Sequence, residues 1–251
     1  MPLTGNRRAR RLISVVSFIA VLLLWEFATW EFHVRPVILP APSDIIHELR
    51  QDVLWYLSNA GHTLLTTLVA FVLSVIIGVT IAVSLVNLPW FESAIYPLIV
   101  SFNSVPKVAV APLFIVWLGT GMESQVAIAF LIAVFAIIVE TVHGLRSVPR
   151  DIVDLGRILR GSAVALFMKI SLPCALPYIL SGMKVSISLA LVGAIVGEFV
   201  ASQRGLGYII LSAQGSFDTA RAFAALSLLA AMGMILYSII EWLDRRVVHW
   251  R

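Results

Sequence analysis

The sequence predicts an all-α polytopic membrane protein with about six transmembrane helices. Of its 251 residues, 60% are hydrophobic and 13% are charged, whereas a soluble domain has about 25% charged residues. The apolar residues lie in long runs, several of which reach the roughly 20 residues that a helix needs to cross a bilayer. A polar interval, residues 147–172, separates two of these runs. It is predicted to form a helical hairpin outside the membrane.

The first predicted span covers residues 12–30 and follows a cluster of four arginines. A cleaved signal peptide is the alternative interpretation, but it would have a shorter apolar core and a small-residue cleavage site. Here Trp25, Trp30 and Phe32 give the segment a bulky interfacial end, which favours an uncleaved span. Apolar residues then recur at helical spacing over 43–57, which predicts an amphipathic helix on the outer surface. Together these segments form a predicted N-terminal region, 1–61.

The predicted main domain, 62–247, contains five further spans. They cover residues 62–86, 95–118, 124–144, 176–200 and 220–243. Ser74, Gly78 and Ala82 recur at four-residue spacing in the second span and allow another helix to approach closely. The third span contains three prolines, which free backbone groups that other helices or water must satisfy. Segment 201–219 is too short and polar to span, so it is predicted to be a re-entrant or surface helix.

The polar hairpin carries helix start and stop signals. Ser147 is predicted to cap its first helix, and Pro149 stands in the first turn, where a missing N–H is harmless. Gly161 is predicted to end that helix. Ser162 can then cap a second helix that reaches residue 172, before Pro173 opens the next span. The hairpin therefore has the form of a docking platform at the membrane surface.

The hairpin also carries a spaced motif. It reads Asp154-Leu155-Gly156, three residues, Arg160, nine residues, and Ile170-Ser171-Leu172-Pro173. This resembles the cytoplasmic loop of bacterial ABC importer permeases, whose pattern is E-A-A, three residues, G, nine residues, I-x-L-P. Arg160 stands where the pattern has glycine, and Gly161 follows, which predicts a slightly shifted turn.

Further segments are similar to the nitrate, sulfonate and taurine branch of these permeases. They are Ser104-Val105-Pro106-Lys107, the run 111–119, Gly197-Glu198-Phe199 and Gly205-Leu206-Gly207. The resemblance implies a permease subunit that forms the solute pathway of an ATP-driven importer in the bacterial inner membrane. It implies four partners: ATPase subunits, a periplasmic or lipid-anchored binding protein, a second copy of the permease, and membrane lipid.

The same resemblance implies that the hairpin couples the permease to an ATPase subunit. The implied coupling residues are Asp154, Leu155, Gly156, Arg157, Ile158, Arg160 and Gly161, with the small Gly156 as the expected point of closest approach. The chain has no G-x-x-x-x-G-K-[ST] phosphate loop, so it is expected to bind no cofactor itself. ATP is then used by the partner subunit.

The charge distribution predicts the orientation. Twelve of the 18 Lys and Arg residues flank the spans on the side of the termini and the hairpin, whereas four lie on the opposite side. The twelve are Arg7, Arg8, Arg10, Arg11, Arg146, Arg150, Arg157, Arg160, Lys169, Arg245, Arg246 and Arg251. Because positive residues favour the cytoplasmic side, both termini and the hairpin are predicted to be cytoplasmic.

Polar and ionisable residues inside spans are costly in lipid and face protein or water, so they are candidates for the solute pathway. The candidates are Ser104, Lys107, Ser181, Lys184, Ser188 and Glu198. The two lysines suit a small anionic solute such as a sulfonate, nitrate or bicarbonate. Related permeases are also associated with pyrimidine vitamin precursors, so the solute stays open. A small-residue stripe on the fifth span, Gly182, Ser186 and Ala190, is predicted in or near a homodimer interface.

Several other classes of function are disfavoured. The basic residues lack the aromatic interleaving of a nucleic-acid surface, and the histidines lack the spacing of a shared metal site. The glycines at 205–207 are predicted to form a flexible outer turn rather than a phosphate site. No arrangement for acyl transfer can be identified, so an enzyme is not expected. A secondary transporter or channel remains the alternative of another class, although no internal repeat supports it.

Overall fold

The computed structural model describes residues 7–248, except the side chains of residues 7–11, 14, 150, 157 and 201. Every regular element in that range is helical. The α-helices are α1 (Arg7–Glu31), α2 (Pro42–Gln51), α3 (Val53–Asn87), α4 (Pro89–Ser104), α5 (Ala111–Leu118), α6 (Met122–Arg146), α7 (Arg150–Ile158), α8 (Ala163–Leu166), α9 (Leu172–Ala201), α10 (Leu206–Gly215) and α11 (Thr219–Val247). A 3₁₀ turn (Lys107–Val110) precedes α5, and a π-helical turn (Phe167–Ser171) joins α8 to α9.

Four helices among the fully described residues are long and apolar enough to cross a membrane. They are α3, α6, α11 and the continuous helix Ala163–Val200 that contains α9. Counting the bent pair α4 and α5 as one span gives five. The 25 residues of α1 would extend about 37 Å at 1.5 Å per residue, but its first side chains lie outside the described set. The fold class is confirmed, whereas the number six stays a prediction.

The core is built around α6, which packs against both α3 and α9. Small residues set the close approach of these helices: a Cβ on Gly193 of α9 would lie 2.5 Å from Ala129 Cα of α6. About two turns further along α6, a Cβ on Gly78 of α3 would lie 2.8 Å from Ile137 Cγ2. The predicted stripe of Ser74, Gly78 and Ala82 is thus a helix-packing surface.

The small-residue stripe of α9 is used inside the chain. Ser186 and Ala190 are completely buried, and the Ser186 hydroxyl donates a hydrogen bond of 3.1 Å to the Ala133 carbonyl of α6. A Cβ on Gly182 would lie 2.9 Å from Glu140 Cβ. The stripe therefore does not itself lie in a homodimer interface, because α6 of the same chain already covers it; that it lies near one stays a prediction.

The predicted amphipathic helix over 43–57 is divided in two. Asp52 has φ −145° and accepts a hydrogen bond of 3.0 Å from the Trp55 amide, so it ends α2 and caps α3. As a result α3 begins at Val53, well before the predicted start of the second span, and runs without a break through residues 61 and 62. The predicted division of the chain at that point stays a prediction.

The hairpin differs from its prediction at both ends. The Ser147 hydroxyl donates to the Gly144 carbonyl at 2.8 Å, so Ser147 closes α6 instead of capping α7. Ser162 does cap α8, and its hydroxyl accepts from the Ala165 amide at 3.2 Å. After α8 the chain continues through the π-helical turn directly into α9, so Pro173 lies within a continuous helix.

The third predicted span is sharply broken. The axis of α4 and that of the segment Lys107–Leu118 differ by 91°. Pro106 stands at the break, where it can neither donate a backbone hydrogen bond nor let the preceding residue adopt helical geometry readily. Val105 accordingly has extended backbone angles, φ −76° and ψ 132°.

Candidate functional site

The turn of the hairpin lies at Arg160. This residue has a left-handed backbone, φ +57°, and the Gly161 amide donates to the Gly156 carbonyl at 3.0 Å. A left-handed residue followed by such a six-to-one hydrogen bond is the Schellman ending of a helix, where glycine is the usual residue. The turn is therefore not shifted to Gly161: Arg160 adopts the conformation that the family pattern assigns to glycine.

Gly156 packs inside the hairpin. A Cβ at this position would lie 2.3 Å from Leu166 Cδ2 and 3.4 Å from Ile170 Cδ1. The lack of a side chain thus lets α7 lie against α8 and the π-helical turn. The expectation that Gly156 is the closest approach to a partner is corrected, because Leu166 of the same chain occupies that space.

The hairpin exposes large apolar side chains beside charged ones such as Asp151, Arg160 and Lys169. Six large apolar side chains are exposed there, including Ile152 and Met168. We call the other four the docking patch: Leu155, Ile158, Leu159 and Val164. Asp154 lies in the same helix and is engaged in an interaction, and the side chain of Arg157 lies outside the described residues. Sequence reasoning identified Leu155 and Ile158, but it did not identify Leu159 or Val164.

Lys107 lies at the bend between α4 and α5. Its ammonium group is 2.8 Å from Asn103 Oδ1 and 4.8 Å from the centre of the Phe135 ring. It lines a cavity of about 270 Å³ whose other ionisable wall residue is Glu140. The remaining wall is mostly apolar, with Ile132, Phe135, Ala136, Val139, Val185 and Leu189. The structure therefore places one predicted pathway residue, Lys107, in the same cavity wall as the carboxylate Glu140.

The predicted polar stripe of α9 is divided by its surroundings. Ser181 and Ser188 are exposed, and the Ser188 hydroxyl donates to its own helix at the Lys184 carbonyl, 3.3 Å away. Lys184 turns instead towards α11, where its Nζ lies 2.6 Å from Asp244 Oδ2. Ser104 of α4 is exposed as well, and its hydroxyl donates to the Val100 carbonyl at 3.2 Å. These four residues do not converge on one point.

Glu198 is fully buried and holds the turn before α10. Its Oε1 accepts from the Thr63 hydroxyl and its Oε2 from the Gly207 amide, both at 2.7 Å. The Leu206 amide donates to the Thr63 hydroxyl at 2.9 Å, and the Gly205 amide donates to Asn59 Oδ1 at 2.8 Å. The amides of residues 205–207 thus all have partners on α3 or α9.

Gly205 could not be another residue in this network. It has φ +105°, and a Cβ there would lie 2.3 Å from the Glu198 carboxyl group. The turn at 205–207 is therefore fixed, so the prediction of a flexible turn is wrong. Sequence reasoning missed Asn59 and Thr63, which lie more than 130 residues away along the chain and carry no motif.

The comparison with protein families gives a direct assignment. Residues 74–249 match the model of the binding-protein-dependent transport system inner membrane component. This range contains the bent pair, the hairpin, α9 and α11, and therefore most of the residues described above.

Three relatives illustrate the range of named solutes. The chain is 35% identical to the riboflavin transport system permease protein RibX of Chloroflexus aurantiacus, over 94% of this chain and 88% of RibX. It is 28% identical to the formylaminopyrimidine transport permease protein ThiX of Halalkalibacterium halodurans, over 98% of each chain. It is 27% identical to the putative aliphatic sulfonates transport permease protein SsuC of Bacillus subtilis, over 98% of this chain and 90% of SsuC.

The fold agrees with a solved structure. A chain of the inward-facing MetNI methionine ABC transporter superposes with a TM-score of 0.68 and 20% identity, over 78% of this chain and 97% of that chain. The family match and the 35% identity to a relative of nearly equal length are independent of that likeness. The chain therefore belongs to the family of inner membrane permease components of binding-protein-dependent ABC transport systems.

Proposed function

We propose that this chain forms the solute pathway of an ATP-driven importer and that its hairpin docks onto separate ATPase subunits. Members of the family are permease components and not enzymes, which sets aside the secondary transporter, the channel and the membrane-embedded enzyme. The docking patch supports the proposed coupling, because Leu155, Ile158 and Leu159 share one face at the end of α7 by their spacing, and exposed apolar faces of this kind commonly mark an interaction site. Gly156 contributes to this arrangement, because its lack of a side chain lets α7 pack closely against α8.

Two further parts of the proposal concern orientation and assembly. The bias of basic residues favours a cytoplasmic hairpin and cytoplasmic termini, so a binding protein would approach the opposite end. A second copy of the chain would face the side of α9 that α6 leaves open, which carries Ser181, Val185, Ser188 and Val192. All four are exposed in the single chain.

For the solute, we propose a small heteroaromatic compound of the vitamin or vitamin-precursor class. The observation that carries this proposal is the surroundings of the two lysines, Lys107 and Lys184. Lys184 is neutralised by Asp244 at 2.6 Å, and Lys107 shares its cavity with Glu140. Since the rest of that wall is mostly apolar and includes Phe135, it suits a planar, uncharged ring better than a free anion. The names of RibX and ThiX agree with this class.

A small anionic solute, such as a sulfonate, nitrate or taurine, is the second candidate. Its support is Lys107, whose ammonium group is bonded to the neutral Asn103 and makes no ion pair within residues 7–248. The relationship to SsuC points the same way. The two candidates differ in charge: the Lys107 ammonium group would lie beside an uncharged ring in the first case and beside an anion in the second.

Uptake into proteoliposomes separates the two candidates. The permease, its ATPase and its binding protein would be reconstituted, and ATP-dependent uptake of riboflavin, formylaminopyrimidine and taurine compared. We expect uptake of a heteroaromatic solute and none of taurine. Uptake of taurine alone would refute the proposed solute class, and failure of ATP to drive any uptake of the cognate solute would refute the importer.

A further inference from the structure

A polar cavity lies at the end of the helix bundle opposite the hairpin. Its volume is about 520 Å³, within the range of roughly 300 to 1,000 Å³ that is usual for small-molecule sites. It lies where α6 begins, beside the segment that follows α9. The wall consists of His62, Thr120, Gly121, Met122, Gln125, Ser202, Gln203 and Arg204. None of these residues was among the pathway candidates of the sequence.

Gln125 is the buried polar residue of this wall. Only 3% of its surface is exposed, and its Oε1 has no hydrogen-bond partner among the described residues. Leaving a buried polar atom unpaired costs about 1 to 3 kcal/mol. The residue is also held in place, because Gln125 Cα would lie 2.9 Å from a Cβ on Gly197 of α9. A ligand that donates a hydrogen bond would satisfy this oxygen.

The remaining wall offers donors. Arg204 is exposed and lines the cavity. No side chain of the N-cap residue Gly121 caps the start of α6, and Glu123 stands in its first turn. His62 also belongs to the wall; its Nδ1 has no hydrogen-bond partner among the described residues and lies 3.7 Å from the carboxylate of Glu198, on the side away from solvent. One fixed acceptor, Gln125 Oε1, therefore belongs to the same cavity wall as the charged donor Arg204.

We propose that this cavity binds the transported solute through an N–H group flanked by carbonyl groups, as in the cyclic imide of a flavin or the amide edge of a pyrimidine. The N–H donates to Gln125 Oε1, and a neighbouring carbonyl accepts from Arg204. The inference rests on the proposed heteroaromatic solute class and adds a site for it, away from the cavity of Lys107. The buried bonds of Glu198 to Thr63 and Gly207 fix the chain that follows Arg204, so the wall is preorganised.

The test is direct binding to the complex of permease and ATPase, without binding protein. Riboflavin binding is followed by its fluorescence, formylaminopyrimidine by competition, and taurine serves as a sulfonate without such an edge. We expect Gln125→Met to weaken riboflavin binding about tenfold or more, because the donor loses its acceptor. Arg204→Gln is expected to weaken it about three- to tenfold. The matched control is Arg50→Gln, an exposed arginine outside the cavity wall, which should leave binding unchanged.

The outcomes separate the site from the proposed function. Unchanged binding in both Gln125→Met and Arg204→Gln overturns the site, even if the complex imports a heteroaromatic solute. A complex that imports such a solute but binds neither heterocycle here overturns the site alone. Import of taurine instead overturns the solute class and the site with it. If Gln125→Met fails to assemble, the exposed Arg204→Gln decides.

Discussion

Lys184 of α9 and Asp244 of α11 form an ion pair of 2.6 Å between two membrane-crossing helices. Both side chains are only 19% exposed. The pair joins the first half of α9 to the last turn of α11, near the end of the bundle that carries the hairpin. It explains how two ionisable residues are accommodated in apolar helices, since each compensates the charge of the other.

Breaking this pair should destabilise the protein. Lys184→Met leaves Asp244 without its partner in a largely buried place, and we expect a loss of about 3 kcal/mol, measured by chemical denaturation in detergent. The double variant Lys184→Met with Asp244→Leu should recover most of that loss. Arg245→Met is the control, because its pair with Glu241 is exposed and should contribute less than about 1 kcal/mol. Equal effects of Lys184→Met and Arg245→Met would contradict the expectation.

Thr63 is expected to be the critical side chain of the turn before α10. Thr63→Val keeps the shape but removes the hydroxyl that donates to Glu198 and accepts from Leu206, and should cost about 2 to 3 kcal/mol. Thr67→Val is the matched control, because that equally buried hydroxyl only bonds back to the Thr63 carbonyl. Hydrogen exchange of the 205–207 amides should rise strongly in Thr63→Val alone. A similar rise in Thr67→Val would show that the turn does not depend on this network.

Arg160 should be replaceable by glycine with a gain in stability. Its left-handed backbone costs roughly 1 kcal/mol for a residue with a side chain, so Arg160→Gly should slow exchange of the hairpin amides about fivefold. Arg160→Ala removes the same charge without relieving the backbone and should give no gain. If the two variants behave alike, the backbone conformation at this position is not the cause.

The faces of α9 predict a crosslinking pattern for the proposed homodimer. In a background without Cys174, cysteine at Ser188 should give a disulfide-linked dimer, because this position is exposed on the open side of α9. Cysteine at Ser186 should not, because that side chain lies buried against Ala133. Crosslinking from position 186 but not from position 188 would contradict the proposal that the exposed side of α9 forms the dimer interface.

The sequence predicted what depends on local patterns. Hydropathy predicted the apolar helices, and the capping preference of Ser162 predicted the start of α8. The spaced motif of the hairpin predicted the family. The predicted helix boundaries were wrong where a capping residue lies between two helices. Asp52 divides a segment that was predicted to be one helix, and Ser147 closes α6 rather than opening α7. The capping preference of a single residue does not show which of two adjacent helices that residue caps.

Partners that lie far apart in the chain could not be predicted. Thr63 and Glu198 are separated by 135 positions, and Lys184 and Asp244 by 60. The sequence contains Glu198 and Asp244, but no rule of residue spacing predicts that they contact Thr63 and Lys184. The same reason explains why the stripe of Gly182, Ser186 and Ala190 was assigned to a dimer: its composition predicts close helix packing without identifying the helix.

Docking of the hairpin onto an ATPase subunit can be tested with one matched pair of variants. Ile158 in the docking patch is 77% exposed, and Phe217, at the opposite end of the bundle, is 76% exposed. Neither substitution by Asp should unfold the permease, because both side chains face outward.

We expect Ile158→Asp to lose co-purification of the ATPase in mild detergent and to lose ATP-driven uptake, while Phe217→Asp retains the ATPase. A charge in the centre of an apolar contact typically removes several kcal/mol of binding free energy. If Ile158→Asp retains the ATPase as well as the unmodified chain does and imports solute normally, the hairpin is not the docking surface, and the proposed coupling is wrong.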